Sequence, residues 1–149
     1  MNGQRFERSI VRCFNTHFDI AYIHAIAYRF ERASHFTTQP ADILIDSREK
    51  QYYCAIECKS LAGNKLYFSS AFSDATDIPQ LERMNTFLTQ SGRTGLIAIE
   101  VRQNRHLNAW ILDFQPVYEQ FKGVSTGLSL DTIRRLGHKL TRSKGTYSL

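Results

Sequence analysis

Asp42, Glu57 and Lys59 are the residues of this chain whose types and spacing could do chemistry. Asp42 closes the tripeptide Pro40-Ala41-Asp42, and the other two frame Glu57-Cys58-Lys59. Between them lie a short apolar run, Ile43, Leu44 and Ile45, then polar residues 47–51, then a second run at 52–59 rich in Tyr and Ile. Two such runs around a polar centre are a hairpin signature. Antiparallel partners are equidistant from the turn, so centring it on Glu49 places Asp42 opposite Ile56 and Glu57. Side chains on a strand alternate faces, which groups Glu57 and Lys59 with Tyr53 and Ala55, and Cys58 with Tyr52, Cys54 and Ile56. Two converging carboxylates are hard oxygen ligands suited to Mg2+, which keeps several waters and needs few protein carboxylates when its partner is a phosphate. A neighbouring Lys can orient or deprotonate an attacking water, or stabilise charge developing at phosphorus. The competing reading is plain: a solvated Glu and Lys at a strand end, and an Asp serving a turn.

The elements that must hold these groups fit within one domain spanning 1–149. A chain of 149 residues buries enough surface to fold without a disulfide or metal staple. Its formal net charge of +5 and pI near 9.3 suit a polyanionic partner. Cys13, Cys54 and Cys58 are odd in number and sit in apolar contexts, as buried thiols in a reducing compartment would. No second ligand pair accompanies Cys54 and Cys58 at zinc-site spacing, which argues against structural zinc. Neither a signal pattern nor an apolar run of membrane-spanning length is present, so a soluble intracellular protein is expected.

Along the chain, Phe6, Ile10, Cys13 and Phe14 recur at helical spacing and predict a helix over 3–18, with Glu7 on the flank of its buried stripe. A first strand is expected over 21–28. Residues 29–39 carry Arg29, Arg32 and His35, either as phosphate contacts or as a solvated loop. Residues 61–77 read as a long loop holding an extended segment at 65–68. Pro79 opens a helix carrying Leu81, Met84, Phe87 and Leu88, which stops before Gly92. Residues 96–101 and 109–112 read as buried strands, the second bearing Trp110, the only Trp. Short helices are expected at 114–121 and 129–136, the latter capped by Ser129 and stopped by Gly137. The basic tail, about 138–149, is expected to be mobile.

Together Pro40, Asp42, Glu57, Cys58 and Lys59 resemble the signature of the PD-(D/E)xK nucleases, and the layout is similar to that of the cellular Holliday junction resolvases, both the archaeal Hjc-like and the RecU-like branches. Gly3-Gln4-Arg5-Phe6-Glu7-Arg8 resembles the Gly-x-x-x-Glu-Arg opening of the archaeal enzymes, whose helix-borne Glu reaches the metal site. Gln80, at the start of a helix after the Lys-bearing strand, matches a Gln found in both branches. Ser34, with Arg32 before it, is similar to a mobile Ser of the archaeal branch. Only 29–41 fills the interval where RecU-like enzymes carry a stalk, so a full stalk does not fit.

This resemblance implies a restriction-endonuclease-like α/β domain with a central mixed sheet of about five strands flanked by helices. It implies a metal-dependent, structure-selective endodeoxyribonuclease, a Holliday junction resolvase acting on four-way DNA junctions as a homodimer. Asp42, Glu57 and the Cys58 carbonyl would bind Mg2+, with Mn2+ as a substitute, and Glu7 would complete the cluster. Lys59 would activate water and Gln80 would hold the nucleophile or a ligand. Arg5, Arg8, Arg32, Ser34 and His35 would contact DNA. The protein would be cytoplasmic and associated with the nucleoid. Candidate interface groups lie in 96–101 and 109–114, where Trp110 is either core or interface. Another restriction-like or repair nuclease, or an inactive DNA-binding module of the same fold, are the competing readings.

Overall fold

A computed structural model describes residues 2–31, 39–73 and 78–149. Its centre is a six-stranded sheet, one strand more than the sequence suggests. The strands are β1 (Ala25–Arg29), β2 (Ile43–Ser47), β3 (Cys54–Leu61), β5 (Thr94–Gln103), β6 (His106–Asp113) and β8 (His138–Lys139), in that spatial order. Only β3 and β5 pair in parallel, and the other neighbours are antiparallel. The crossover between the parallel pair carries α3 (Gln80–Ser91), as such a connection requires.

Each face of the sheet has its own core. On one side α1 (Asn2–Ala21) buries Phe6, Ile10, Cys13, Phe14 and Phe18 against Ile43, Ile45, Cys54 and Ile56. On the other, α3 places Leu81 and Met84 over Ile97 and Ile99, together with α4 (Phe114–Lys122) and α5 (Leu130–Leu136). A small antiparallel ribbon of β4 (Lys65–Tyr67) and β7 (Gly127–Ser129), with the short α2 (Phe68–Ala71), completes that layer. The expected long loop at 61–77 thus contains a strand and a helical turn, which gain their support from β7, far away in sequence.

The first helix runs to Ala21, and β1 starts at Ala25 instead of residue 21. Tyr22 takes a left-handed φ of 55°, while the Ile23 N–H returns to the Phe18 carbonyl at 2.9 Å. This is the helix-ending arrangement usually made by Gly. Tyr22 is 90% exposed and gives no sign in the sequence that a stop is present. Pro79, expected at the first helical position, instead sits one residue earlier, as the cap of α3, which ends as anticipated at Gly92 with φ 76°. Ser129 caps α5, its hydroxyl accepting the Thr132 N–H at 3.2 Å.

One expectation is corrected and one open choice is decided in favour of the core. The basic tail is folded: β8 pairs with β6, and β9 (Thr141–Ser143) and β10 (Thr146–Ser148) form a hairpin against α1. Leu140 and Tyr147 are buried there, and the Tyr147 hydroxyl donates to Glu100 at 2.8 Å. The polar side chains of the tail concealed two apolar anchors spaced too far apart to read as an element. Trp110 is core, 7% exposed, and the surrounding β5 and β6 residues are largely buried.

The hairpin that carries the carboxylates is fastened at its turn end by Arg93. Its guanidinium donates to the carbonyls of Ile45 and Cys54, the last pair of the β2–β3 ladder, at 3.0 and 3.2 Å, and to Asp46 Oδ1 at 2.9 Å. It also lies 4.0 Å from the centroid of the Tyr53 ring. Removing it leaves two carbonyls without these charged donors, and hydrogen bonds to charged groups contribute roughly 1.5–3 kcal/mol. Arg93→Ala is therefore expected to lower stability by about 2–3 kcal/mol in urea unfolding. An unchanged midpoint would show that solvent replaces the guanidinium without cost.

Candidate active site

The β2–β3 register pairs Ile43 with Ile56, and the Asp42 N–H donates to the Ile56 carbonyl at 3.0 Å. Asp42 therefore lies across from Glu57, as equidistance from the turn predicts. Asp42 Oδ2 accepts the Cys58 N–H at 2.8 Å, and its Oδ1 accepts from Gln39 Nε2 at 3.3 Å. Its backbone carbonyl accepts the Phe30 N–H at 2.8 Å, tying the start of β2 to the end of β1.

Glu57 projects to the α3 face and is only 2% exposed. Gln80, the first residue of α3, bridges it to Lys59: Gln80 Nε2 donates to Glu57 Oε2 at 2.6 Å, and Lys59 Nζ donates to Gln80 Oε1 at 2.9 Å. Lys59 Nζ is also 3.6 Å from Glu57 Oε2. The ammonium lies 4.9 Å from the centroid of the buried Phe72 ring, and the Phe72 carbonyl accepts the Gln80 N–H at 3.2 Å. Phe72 thus supports two members of the cluster, a role with no sequence signal because the sequence reads its surroundings, 61–77, as a long loop.

Glu7 approaches from α1, its Oε2 accepting from Arg29 Nε at 2.9 Å. Burial raises its pKa and the charge of Asp42 adds to the rise, while Arg29 and Arg8 oppose it. Glu57 is held well above the usual carboxylate range, first by burial and then by Asp42, against the pull of Lys59. Burial and the carboxylates of Asp42, Glu57 and Glu7 keep the Cys58 thiol protonated. Three acids therefore share one electrostatic neighbourhood with excess negative charge. Among the described residues, no three His, Cys, Asp or Glu side chains gather closely enough to enclose a metal by themselves. Mg2+ does not require that; one or two carboxylates, waters and a substrate phosphate suffice. The hard oxygen donors and the unbalanced charge fit such an ion.

The raised Glu57 and Glu7 pKa values carry a stability consequence. A carboxyl that binds its proton more tightly when folded stabilises the fold at low pH, and that contribution disappears as pH rises through the folded pKa. In chelator, with no divalent cation, the contribution of these groups should decline as pH rises above about 4.5, the ordinary Glu value. Mg2+ should restore stability at the upper end of the window. Thermal melts of wild type and Glu57→Gln across pH check this, since the substituted chain should lose much of the dependence.

Of the remaining expected DNA contacts, Arg5 is engaged with the buried Glu100, its guanidinium donating at 3.1 Å while part of it stays exposed. Arg8 is exposed. Arg32, Ser34 and His35 lie outside the described residues. Arg29, which the sequence leaves as a phosphate contact or a loop residue, is the partner of Glu7, and Glu100 carries no sequence signal of its role.

The sheet order, the single parallel pair and the helix on each face can be compared directly with solved structures. The fold is shared with an archaeal Holliday junction resolvase. The similarity is to Hjc from the hyperthermophile Archaeoglobus fulgidus, with a TM-score of 0.59 and 20% sequence identity, covering 91% of this chain and 93% of that one. No family model matches the sequence, and no curated protein matches it. Among the described residues, no helix is long and apolar enough to cross a membrane.

Proposed function

We propose that this protein is a metal-dependent endodeoxyribonuclease that resolves four-way DNA junctions by paired phosphodiester hydrolysis. The observation that carries the reading is the closed Lys59–Gln80–Glu57 bridge set opposite Asp42, three segments of chain meeting at one acidic centre. Asp42, Glu57 and the Cys58 carbonyl would hold Mg2+, or Mn2+ in its place, with Glu7 joining directly or through a water. The ion, when bound, supplies polarisation of the scissile phosphate and a water of lowered pKa. Lys59 would orient an attacking water and stabilise charge developing on the phosphate oxygens. Gln80 keeps Lys59 and Glu57 at fixed separation, and Arg29 restrains Glu7 beside Asp42. Arg8 and the exposed part of Arg5 would contact phosphates without reading bases.

The substrate assignment draws on the fold shared with the Archaeoglobus resolvase and on the basic charge of the chain. An intracellular, DNA-associated location follows from that substrate. Mg2+-dependent cleavage of a synthetic four-way junction, beside linear duplex, tests it. Paired nicks in the junction support resolution; preferential cutting of duplex assigns the site to a restriction-like or repair nuclease, and binding without cleavage assigns the chain to an inactive module.

Two symmetric nicks need two sites, so the active form is a two-fold dimer, matching the symmetry of a junction. With the Trp110 side chain in the core, that dimer would be anchored by other groups. Sedimentation at micromolar concentration, with and without junction, should show the dimer. Monomer alone under both conditions would leave a nuclease that makes single cuts.

A further inference from the structure

The parallel register sets Glu57 level with Ile97 and Lys59 level with Ile99. β5 therefore leaves the site in the direction of β3 and continues four residues farther, to Gln103, a reach of about 13 Å at roughly 3.3 Å per residue. There Gln103 pairs with His106 across a two-residue turn, Asn104 and Arg105, whose φ angles are 48° and 66°. Positive φ at both positions defines a type I′ turn, which favours Asn first and Gly second. Asn104 suits its place and Arg105 does not, because a long side chain is uncommon in the left-handed region. The β9–β10 hairpin turns in the same way at Lys144 and Gly145, with φ of 51° and 77°, and does have Gly second. A backbone position that suits Gly and carries Arg is strained for the sake of no contact within the turn, which points to a role for the side chain outside it.

Charge points to what that is. Residues 102–108 include Arg102, Arg105 and His106, all outside the buried core, and contain no acid. Among the described residues, neither Arg102 nor Arg105 forms a salt bridge. The acid next to them, Glu100, is taken up by Arg5 and Tyr147. Arg102 lines a cleft of about 170 Å³ with Ser60, Leu61, Ala62, Glu100 and Leu107, so the hairpin stem stands beside the chain that leaves Lys59.

We infer that the β5–β6 turn is a phosphate-binding finger, in which Arg105 at the tip and Arg102 on the stem hold the sugar–phosphate backbone of DNA some way from the cut. It rests on the nuclease reading above. At about 3.4 Å per base pair, the reach corresponds to about four base pairs. Rigid placement at a strand end makes the contact a ruler on duplex shape, with no base readout.

The test compares the full chain with Arg105→Gly and with the double variant Arg102→Gln/Arg105→Gly. Affinity for a labelled four-way junction and for linear duplex is measured against salt in chelator, beside thermal melts. Arg105→Gly should melt at or above the wild-type temperature, because Gly suits the turn. Its slope of log affinity on log salt should become shallower by about 0.9, and that of the double variant by about 1.8. A wild-type slope and affinity in the double variant would overturn the finger, as would weaker binding accompanied by a lower melting temperature, which would make Arg105 a fold residue. A wild-type chain that binds neither DNA would overturn the nuclease reading and the finger together; binding with an unaltered slope overturns the finger alone.

Discussion

Asp42→Asn and Glu57→Gln are each expected to abolish Mg2+-dependent cleavage while the chain stays folded and holds DNA. The substitutions remove charge and keep shape. Asn at 42 retains an oxygen to accept the Cys58 N–H now held at 2.8 Å, and Gln at 57 retains one to accept from Gln80. Gln at 57 leaves no buried donor unmatched, and Asn at 42 gives up only the 3.3 Å contact from the half-buried Gln39 Nε2, so the cost of the lost contact is small. Glu57 is in addition already pushed toward its neutral form by burial and by Asp42, which makes Gln a close mimic of the metal-free state. Removing one of two repelling acids should leave the melting temperature unchanged or raised, and DNA affinity unchanged or tightened. The rate should fall by more than the roughly 10²-fold that follows loss of one proton-transfer group, because the substitution removes a donor from the ion on which the reaction depends. Single-turnover cleavage and melts on the same preparations decide it. Wild-type rates from either variant would place the chemistry outside the β2–β3 hairpin.

Lys59→Ala is expected to cost at least about 10²-fold in the same assay, with DNA binding little changed. Its ammonium is one of the groups that lower the Glu57 pKa, so its removal should also move the acid limb of the rate profile to higher pH. That second effect separates a role in the site from simple loss of packing. Arg at 59 should not restore the rate: Lys59 Nζ is a compact donor seated between Gln80 Oε1 and the Phe72 ring, and a planar guanidinium fork is a different shape. A near-normal rate with an unshifted profile would reduce Lys59 to a surface cation.

The chain's sequence determined those features whose physics is local. Strand alternation and equal distance from a turn were enough to set Asp42 across from Glu57 and to put Glu57 and Lys59 on one face. Helical spacing of Phe6, Ile10, Cys13 and Phe14 was enough for α1, and the hydroxyl of Ser129 was enough for a cap. Resemblance to a family added Glu7 and Gln80 as site residues, and the fold places Gln80 in direct contact with Glu57 and Lys59.

Tertiary structure alone decided which polar side chains had partners. Arg29 on Glu7, Arg93 on the open end of the hairpin, Arg5 and Tyr147 on Glu100 are pairs brought together across 22 to 95 residues of chain. Each member has the same composition as a solvated surface residue, because a charge carries no periodicity that would reveal what faces it. The tail shows the same thing from the apolar side. Leu140 and Tyr147 are too few and too far apart to announce an element, yet they are buried because α1 and β6 had already built the surface that receives them. Burial depends on what the rest of the chain brings to a place, and no window of sequence contains that information.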